Sequence, residues 1–112
     1  MAFLEVGVNG ELMVRTNVSF SNVILQRYTV AENLIGRWTK VRWEIRSTTQ
    51  ADGFLRVYVD DALKVDETRP TLQTSDMRHA LKVGIYNAFR SEAVEPYETQ
   101  VVYFDGIRRT IE

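Results

Sequence analysis

Apolar and polar residues alternate along most of the chain, which is the pattern of half-buried β-strands rather than of helices. The clearest case is "KVRWEIR", in which Val41, Trp43 and Ile45 point one way and the charged residues between them point the other way. One face of such a strand packs on a core and the other meets water. The stretch "LKVGIYNAF", residues 81–89, has the same period of two, so the pattern predicts an all-β chain.

Two dipeptides predict tight hairpins between strands. Asn9-Gly10 separates residues 3–8 from residues 11–15 and predicts a type I′ turn, because both central positions of that turn need positive φ. Asp60-Asp61 separates two more strands at the same spacing, and aspartate tolerates the left-handed region better than most residues. The full set of expected strands is residues 3–8, 11–15, 23–30, 37–48, 54–59, 62–67, 81–89 and 99–111.

The chain of 112 residues is long enough for one domain with one core. Because its turn signals recur at the spacing of sandwiches and barrels, we expect a single antiparallel β-sandwich domain over residues 1–112. Apolar positions on one side of the predicted strands should form the core between two sheets. These positions are Val41, Trp43, Ile45, Leu55, Val57, Val83 and Ile85.

Charge and composition exclude several classes of function. The net charge is −1, so no overall field attracts nucleic acid, and no apolar run is long enough to span a membrane. The sequence has no cysteine, which excludes disulfides and thiolate chemistry. Its one histidine, His79, is too few for a metal site built from histidines. We expect no metal, no cofactor, no nucleic acid and no membrane partner. No signal peptide is recognisable, so the chain as it stands is expected in the cytoplasm, or outside the cell if it was cut from a longer precursor.

Four stretches of the sequence occur in an order that resembles one family of proteins. They are "GRWTKVRWEIR", "DGFLRVYVDDALKV", "LKVGIYNAF" and "VVYFDGIRR", and the likeness extends over residues 20–109. This order resembles the polysaccharide lyases of the heparin-lyase and alginate-lyase type. The resemblance implies a concanavalin-A-like jelly roll, and the chain is similar to its later half with a short substitute for the earlier half.

In alginate-lyase-like relatives the tyrosine of a "Lys-x-Gly-x-Tyr" strand is catalytic and the lysine lies beside it, which places these roles on Tyr86 and Lys82. Elimination from a uronic acid needs a base, an acid and a group that neutralises the carboxylate, and tyrosine serves only if a cation lowers its pKa from about 10. The arginine-rich strand and the histidine-bearing strand that complete the family's site have no match here. The residues that would have to supply the missing partner are Gln26, Arg27, Asn87 and Gln100.

A second set of basic and aromatic residues lies on the solvent-exposed faces of the strands predicted at residues 37–48 and 54–59. It consists of Arg42, Arg46, Arg56 and Tyr58. Arginine binds carboxylates and sulfates with two parallel hydrogen bonds, so the set is a candidate ligand patch. Its charges alternate with acidic residues, however, which favours a solvated face with cross-strand ion pairs.

The preferred interpretation is a non-catalytic binding module derived from a polysaccharide-lyase fold, which binds an anionic polysaccharide weakly. The candidate ligand-binding residues are Lys82, Tyr86, Asn87, Gln26 and Arg27. Lys82 and Tyr86 are expected to face a concave groove that holds the ligand. A second interpretation is an active lyase, or a fragment of one, that cleaves a uronic acid polymer with Tyr86 and Lys82 as catalytic residues. A third is a structural or assembly protein with no small ligand.

The N-terminal hairpin predicts self-association. Its first strand carries Glu5 as the one charge and has apolar residues on both faces. An edge strand of this kind displays unpaired backbone groups and invites pairing with another chain, and a two-fold dimer meets that need because one patch covers itself. We therefore expect a homodimer through the hairpin that begins at Phe3 and ends at Val14. The alternative is a hairpin that folds back across its own sheet and leaves a monomer.

Overall fold

A computed structural model of the chain describes residues 2–7, 9–17, 24–84 and 101–111, the side chain of Ile24 excepted. The regular elements of these residues are all strands, and no described helix is long and apolar enough to cross a membrane. The strands are β1 (Ala2–Val6), β2 (Leu12–Asn17), β3 (Ile24–Ala31), β4 (Val41–Arg46), β5 (Phe54–Val59) and β6 (Ala62–Thr68). The chain forms two compact units, Met1–His79 and Ala80–Glu112, and all six strands belong to the first unit.

The first unit is built from two antiparallel sheets of three strands each. The first sheet has the order β1-β2-β3 and the second sheet has the order β4-β5-β6. Buried side chains from both sheets form one core. They are Leu12, Val14 and Val30 of the first sheet and Leu55, Val57, Val59 and Val65 of the second sheet. This arrangement confirms the predicted all-β antiparallel sandwich.

Alternation along the central strands places the core. In β5 the side chains of Leu55, Val57 and Val59 are buried, and the residues between them face outward. Val14 of β2 and Val57 of β5 have no exposed surface, and burying a valine fully contributes roughly 1.5–3 kcal/mol before entropy is counted. The two central strands therefore supply the best-covered part of the core.

Of the predicted core residues, Leu55 and Val57 are buried as expected, whereas Ile45 and Val83 are exposed. Val41 and Trp43 pack against the buried cluster while staying partly exposed. Ile45 is 40% exposed, because β4 is an outer strand of its sheet and has a neighbour on one side only. Val83 is 46% exposed and belongs to the second unit, so it is not part of this core. Ile85 lies outside the described residues.

The Asp60-Asp61 turn has the predicted geometry. Its two central residues have φ values of 47° and 68°, as a type I′ turn requires, and Val59 pairs with Ala62 across it. The backbone amide of Lys40 donates a hydrogen bond to Oδ1 of Asp60 at 3.0 Å, and the Asp60 amide donates to the Lys40 carbonyl at 2.9 Å. These contacts hold the turn against the segment that leads into β4.

The N-terminal turn differs from the prediction by one residue. The Gly7 amide donates to the Glu11 carbonyl at 2.9 Å, and the Gly10 amide donates to the Gly7 carbonyl at 3.1 Å. Gly10, with φ of 77°, is therefore the last residue of the turn and not one of two central residues. The reason is that a three-residue hairpin loop needs a left-handed residue at its end, and glycine takes that conformation without strain.

The second unit shows no strand at its described residues, 80–84 and 101–111. The predicted strand at residues 81–89 is thus absent at 81–84, and its remaining residues lie outside the described part. The closing strand expected at residues 99–111 is absent at 101–111. Val101 and Phe104 are at least half exposed, so these apolar side chains are not covered by the described residues. Gly106 has a φ of 61°, in the left-handed region that favours glycine.

The sandwich is closed along one side and open along the other. Strands β3 and β6 lie beside each other. Leu4 and Val6 of β1 share the inward face with buried residues of β2, yet they are 43% and 64% exposed. Because Ile45 of β4 is exposed in the same way, the core is open toward β1 and β4.

Candidate functional site

Two arginines face each other on the outer surface of the first sheet. Arg15 of β2 and Arg27 of β3 are direct cross-strand partners. Glu5 of β1 binds both of them, with Oε1 at 2.9 Å from Nη1 of Arg15 and Oε2 at 3.4 Å from Nε of Arg27. The Arg15 guanidinium also lies over the Phe3 ring at 4.8 Å. We call these four residues the arginine-pair surface.

The arginine-pair surface is short of negative charge. Like charges placed directly opposite on a sheet repel each other, and the single carboxylate of Glu5 offsets one of the two positive charges. Nε of Arg15 is buried without a hydrogen-bond partner, and the Arg27 side chain is 47% exposed. A carboxylate or sulfate placed here would neutralise the excess charge and accept paired hydrogen bonds from a guanidinium.

A shallow depression lies at the closed side of the sandwich, between β3 and the end of β6. Its volume is about 400 Å³. The lining residues are Leu25, Gln26, Tyr28, Glu67, Thr68 and Arg69. We call it the rim depression. It brings together side chains from both sheets. Gln26, Tyr28 and Glu67 are the polar ones that lie on the inward face of the sandwich.

Glu67 is the centre of the rim depression, and its side chain is only 10% exposed. It pairs with Leu55 across β5 and β6, so it occupies an inward position where an apolar residue would continue the pattern. Its Oε1 accepts hydrogen bonds from the Tyr28 hydroxyl at 2.8 Å and the Thr16 hydroxyl at 3.4 Å. Its Oε2 accepts from Nε of Arg69 at 2.9 Å. A buried carboxylate is tolerated only when it is paired in this way.

The environment of Tyr28 suits it as a hydrogen-bond donor. Burial, the hydrogen bond to Glu67 and the charge of that carboxylate raise the pKa of Tyr28 to about 12. The phenol therefore stays protonated at neutral pH. A tyrosine that acts as a general base needs a pKa shifted in the opposite direction, so the surroundings of Tyr28 do not favour that role.

The outer face of the second sheet is a solvated, charge-balanced surface, as the alternating charges indicated. The Arg42 guanidinium lies over the Tyr58 ring at 4.0 Å and binds Glu44 at 3.5 Å. The Arg56 guanidinium lies over the Phe54 ring at 4.4 Å and binds Asp66 at 3.2 Å. Because guanidinium groups cover the aromatic rings and carboxylates pair with the arginines, this face is a poor platform for a ligand. The remaining arginine of the set, Arg46, binds Asp52 at 2.6 Å.

A serine and the one histidine form a short contact elsewhere in the first unit. Oγ of Ser47 lies 2.6 Å from Nδ1 of His79, and burial lowers the pKa of His79. Nucleophilic catalysis by such a pair needs an orienting group and amide donors for an oxyanion. The neighbouring amide, of Thr48, already donates to the Thr71 hydroxyl at 3.0 Å, and among the described residues no carboxylate contacts His79. The described part of the chain also holds no group of three acidic or histidine side chains that could bind a metal.

The structure distributes the predicted site residues over different surfaces. Gln26 lines the rim depression, and Arg27 belongs to the arginine-pair surface, because successive residues of β3 face opposite ways. Lys82 is exposed in the second unit, outside any strand. Tyr86 and Asn87 lie outside the described residues. The predicted grouping of Lys82 with Tyr86 therefore stays a prediction.

Several members of the two surfaces were not predicted from the sequence. They are Phe3, Glu5, Arg15, Leu25, Tyr28, Glu67, Thr68 and Arg69. One of these residues could have been found from the sequence. Glu67 lies two positions after Val65 in β6, so the two side chains point to the same, inward face. A charged side chain that points inward needs a buried hydrogen-bonding or ionic partner. The opposition of Arg15 and Arg27 depends on the register of β2 and β3, which the sequence does not show.

The fold and its surfaces define an all-β sandwich protein with one cationic surface and one charge-balanced polar depression. Residues 1–108 match the model of the polysaccharide lyase family, which is nearly the whole chain. The chain therefore belongs to the polysaccharide lyase family, and its function is related to polysaccharides. The match confirms the family resemblance and extends it to the N-terminal hairpin. No curated protein and no solved structure matches the chain significantly.

Proposed function

We propose that the protein binds an anionic polysaccharide without cleaving it, and that the arginine-pair surface is the binding site. The observation that carries the proposal is the opposition of Arg15 and Arg27 over the single carboxylate of Glu5. A uronate or sulfate group supplies the missing negative charge. Family membership supports the polymer class.

The exposure of the surface indicates that binding is weak. Arg27 is half exposed, so its attraction for an anion is reduced by water and salt. Few groups contact one sugar unit on an open sheet, and a Kd on the order of 1 mM corresponds to only about 4 kcal/mol. Several units of one polymer chain that bind along neighbouring surfaces would raise the apparent affinity without a new contact.

A titration followed by NMR tests the proposal. Oligosaccharides of alginate, glucuronan and heparin should shift the signals of Arg15 and Arg27, and a neutral maltooligosaccharide should leave them unchanged. Arg27→Gln should weaken binding several-fold. The matched control is Arg56→Gln, since Arg56 is a partly exposed arginine on the other sheet that is paired with one carboxylate. Equal losses in both variants would show that binding follows total charge and not the arginine pair.

Active cleavage is the second candidate, and membership of the polysaccharide lyase family favours it. It rests on Tyr86 as the base or acid, with Lys82 lowering its pKa. Incubation with the same acidic oligosaccharides separates the two functions, because β-elimination creates an unsaturated product that absorbs in the ultraviolet. We expect no growth of this absorbance. Steady growth that Tyr86→Phe abolishes would establish a lyase.

We also infer that two copies of the chain associate through the N-terminal hairpin. The support is the exposure of Leu4 and Val6 on the inward side of an edge strand, which leaves apolar surface and backbone groups uncovered. A dimer built on that side leaves the arginine-pair surface open. Sedimentation at micromolar concentration should show twice the mass of 13.0 kDa, and Val6→Lys should restore the single mass. A wild-type protein that sediments as one chain would refute the dimer.

A further inference from the structure

We propose that the rim depression is a second sugar site, which binds an uncharged sugar through two adjacent hydroxyl groups. The depression is separate from the arginine-pair surface, since Gln26 and Arg27 lie on opposite faces of β3. Its volume of about 400 Å³ lies within the range of small-ligand sites. The site assigns a role to the Glu67–Arg69 pair beyond holding the two sheets together.

The charges of the depression select an uncharged ligand. Glu67 and Arg69 form an ion pair at 2.9 Å, so the pair has no net charge to attract an anion. The Glu67 carboxylate is nearly buried, and a second carboxylate brought beside it would be repelled at reduced dielectric screening. A sugar hydroxyl is uncharged and is not repelled by Glu67, and it can donate a hydrogen bond to the carboxylate.

The hydrogen-bonding groups are complementary to a pair of hydroxyls. A carboxylate has about four acceptor positions, and Glu67 uses three of them for Tyr28, Thr16 and Arg69. Arg69 uses two of its donors, one to Glu67 and one to the Pro70 carbonyl at 3.3 Å. One hydroxyl can thus donate to Glu67 while its neighbour accepts from Arg69.

Two further residues complete the site. The Gln26 amide is exposed and makes no hydrogen bond with the described residues, so it can both donate to and accept from a hydroxyl. Leu25 is 43% exposed beside it and offers an apolar surface to the C–H groups of a sugar ring. A carboxylate, a guanidinium, an amide and an aliphatic wall together match a pyranose better than they match a purely polar or purely apolar ligand.

The experiment is a titration of the full chain with methyl α-glucopyranoside and methyl α-mannopyranoside, followed by NMR of the Gln26 amide and the Arg69 Nε–H. We expect saturable shifts of both signals with a Kd on the order of 10 mM, a weak affinity that suits one sugar unit. Gln26→Ala should raise Kd at least threefold. Gln50→Ala is the matched control, because Gln50 is an exposed glutamine in a loop of the same unit. Arg69→Lys, which keeps the charge, should also weaken binding.

Salt separates this proposal from the proposed function. Binding of the neutral sugar should be unchanged between low and high salt and in Arg27→Gln, whereas binding of an acidic oligosaccharide should fall in both cases. If the acidic oligosaccharide binds and the glycosides shift neither signal, the rim depression is not a sugar site and the proposed function stands. If Gln26→Ala binds the glycosides as tightly as the wild type, this inference is wrong.

Discussion

Removal of the Tyr28 hydroxyl should weaken the junction between the two sheets. In Tyr28→Phe the aromatic ring keeps its place beside the core, and Glu67 keeps Thr16 and Arg69 as partners. The lost contact is a hydrogen bond of 2.8 Å to a carboxylate, and a hydrogen bond to a charged group contributes about 1.5–3 kcal/mol. Thr16 and Arg69 still donate hydrogen bonds to the carboxylate in the variant. We therefore expect the free energy of unfolding to fall by about 1.5 kcal/mol, the low end of that range.

Urea unfolding followed by circular dichroism measures this loss. The midpoint should fall and the slope should not change, because the surface exposed on unfolding is nearly the same. For a domain of this size, a loss of about 1.5 kcal/mol also lowers Tm by roughly 6–12 °C. Tyr58→Phe is the matched control. Its hydroxyl donates to Glu44 at 3.4 Å on the solvated face, so its removal should cost under about 0.5 kcal/mol.

Alkaline pH gives an independent check on the same hydroxyl. The pKa of Tyr28 is about 12 in the folded protein and close to 10 when it is exposed. Because folding raises this pKa, the contribution of the protonated phenol is fully present below pH 10 and is lost as the pH rises through about 12. The stability difference between the wild type and Tyr28→Phe should therefore shrink over that interval. A Tyr28→Phe variant as stable as Tyr58→Phe at pH 7, with no convergence above pH 10, would refute the role of Tyr28 at the junction.

Three further substitutions test the fold. Trp43→Ala should cost about 3 kcal/mol, at the low end for a tryptophan because Trp43 is partly exposed; calorimetry within a few degrees of the wild type would contradict its place on the core. Gly53→Ala should cost about 2 kcal/mol in urea unfolding, since a Cβ at that position would meet the Arg69 carbonyl. Asp61→Gly should raise Tm, because Asp61 has φ of 68° and glycine adopts that conformation without strain; an unchanged or lower Tm would mean that the exposed contact with Lys40 outweighs the backbone term.

The second sheet is predicted well from the sequence, because its strands and its turn are determined by residues that are neighbours along the chain. Residues 37–48 and 54–59 were predicted as strands from their alternation. β4 (Val41–Arg46) lies within the first range, and β5 (Phe54–Val59) coincides with the second. The Asp60-Asp61 turn follows from the conformations that two aspartates tolerate. The segments at 81–84 and 101–111 alternate as well, yet they form no strand, since a strand needs a partner and alternation alone does not supply one.

The binding surfaces were harder to predict because each is assembled from separate strands. Arg15 and Arg27 lie twelve positions apart in the sequence and become partners only through the β2–β3 register, which irregularities interrupt at both ends. Glu67 reaches Tyr28 and Thr16 from the other sheet. A single sequence shows which residues carry charge and which way they face along one strand, but it does not show which charges meet.

The alternation of β3 leads to a final prediction, because neighbouring residues of this strand serve the two proposed sites. Gln26 faces the rim depression and Arg27 faces the arginine-pair surface, and the pairing of β3 with Met13 to Thr16 is continuous there. The double substitution Gln26→Arg with Arg27→Gln exchanges the two side chains without changing composition or net charge. Both positions are exposed, so the fold should tolerate the exchange.

If position decides binding, the exchanged protein loses most of its affinity for acidic oligosaccharides, since Arg15 and Glu5 then pair one to one and no positive charge is left over. It also loses the neutral glycosides, because a guanidinium at position 26 can occupy the remaining acceptor of Glu67. The wild type and the exchanged protein are compared by the same NMR titrations at equal salt, with urea unfolding as the check that both are folded. Undiminished binding of acidic oligosaccharides would show that net charge, and not the opposition of two arginines across β2 and β3, attracts the polymer.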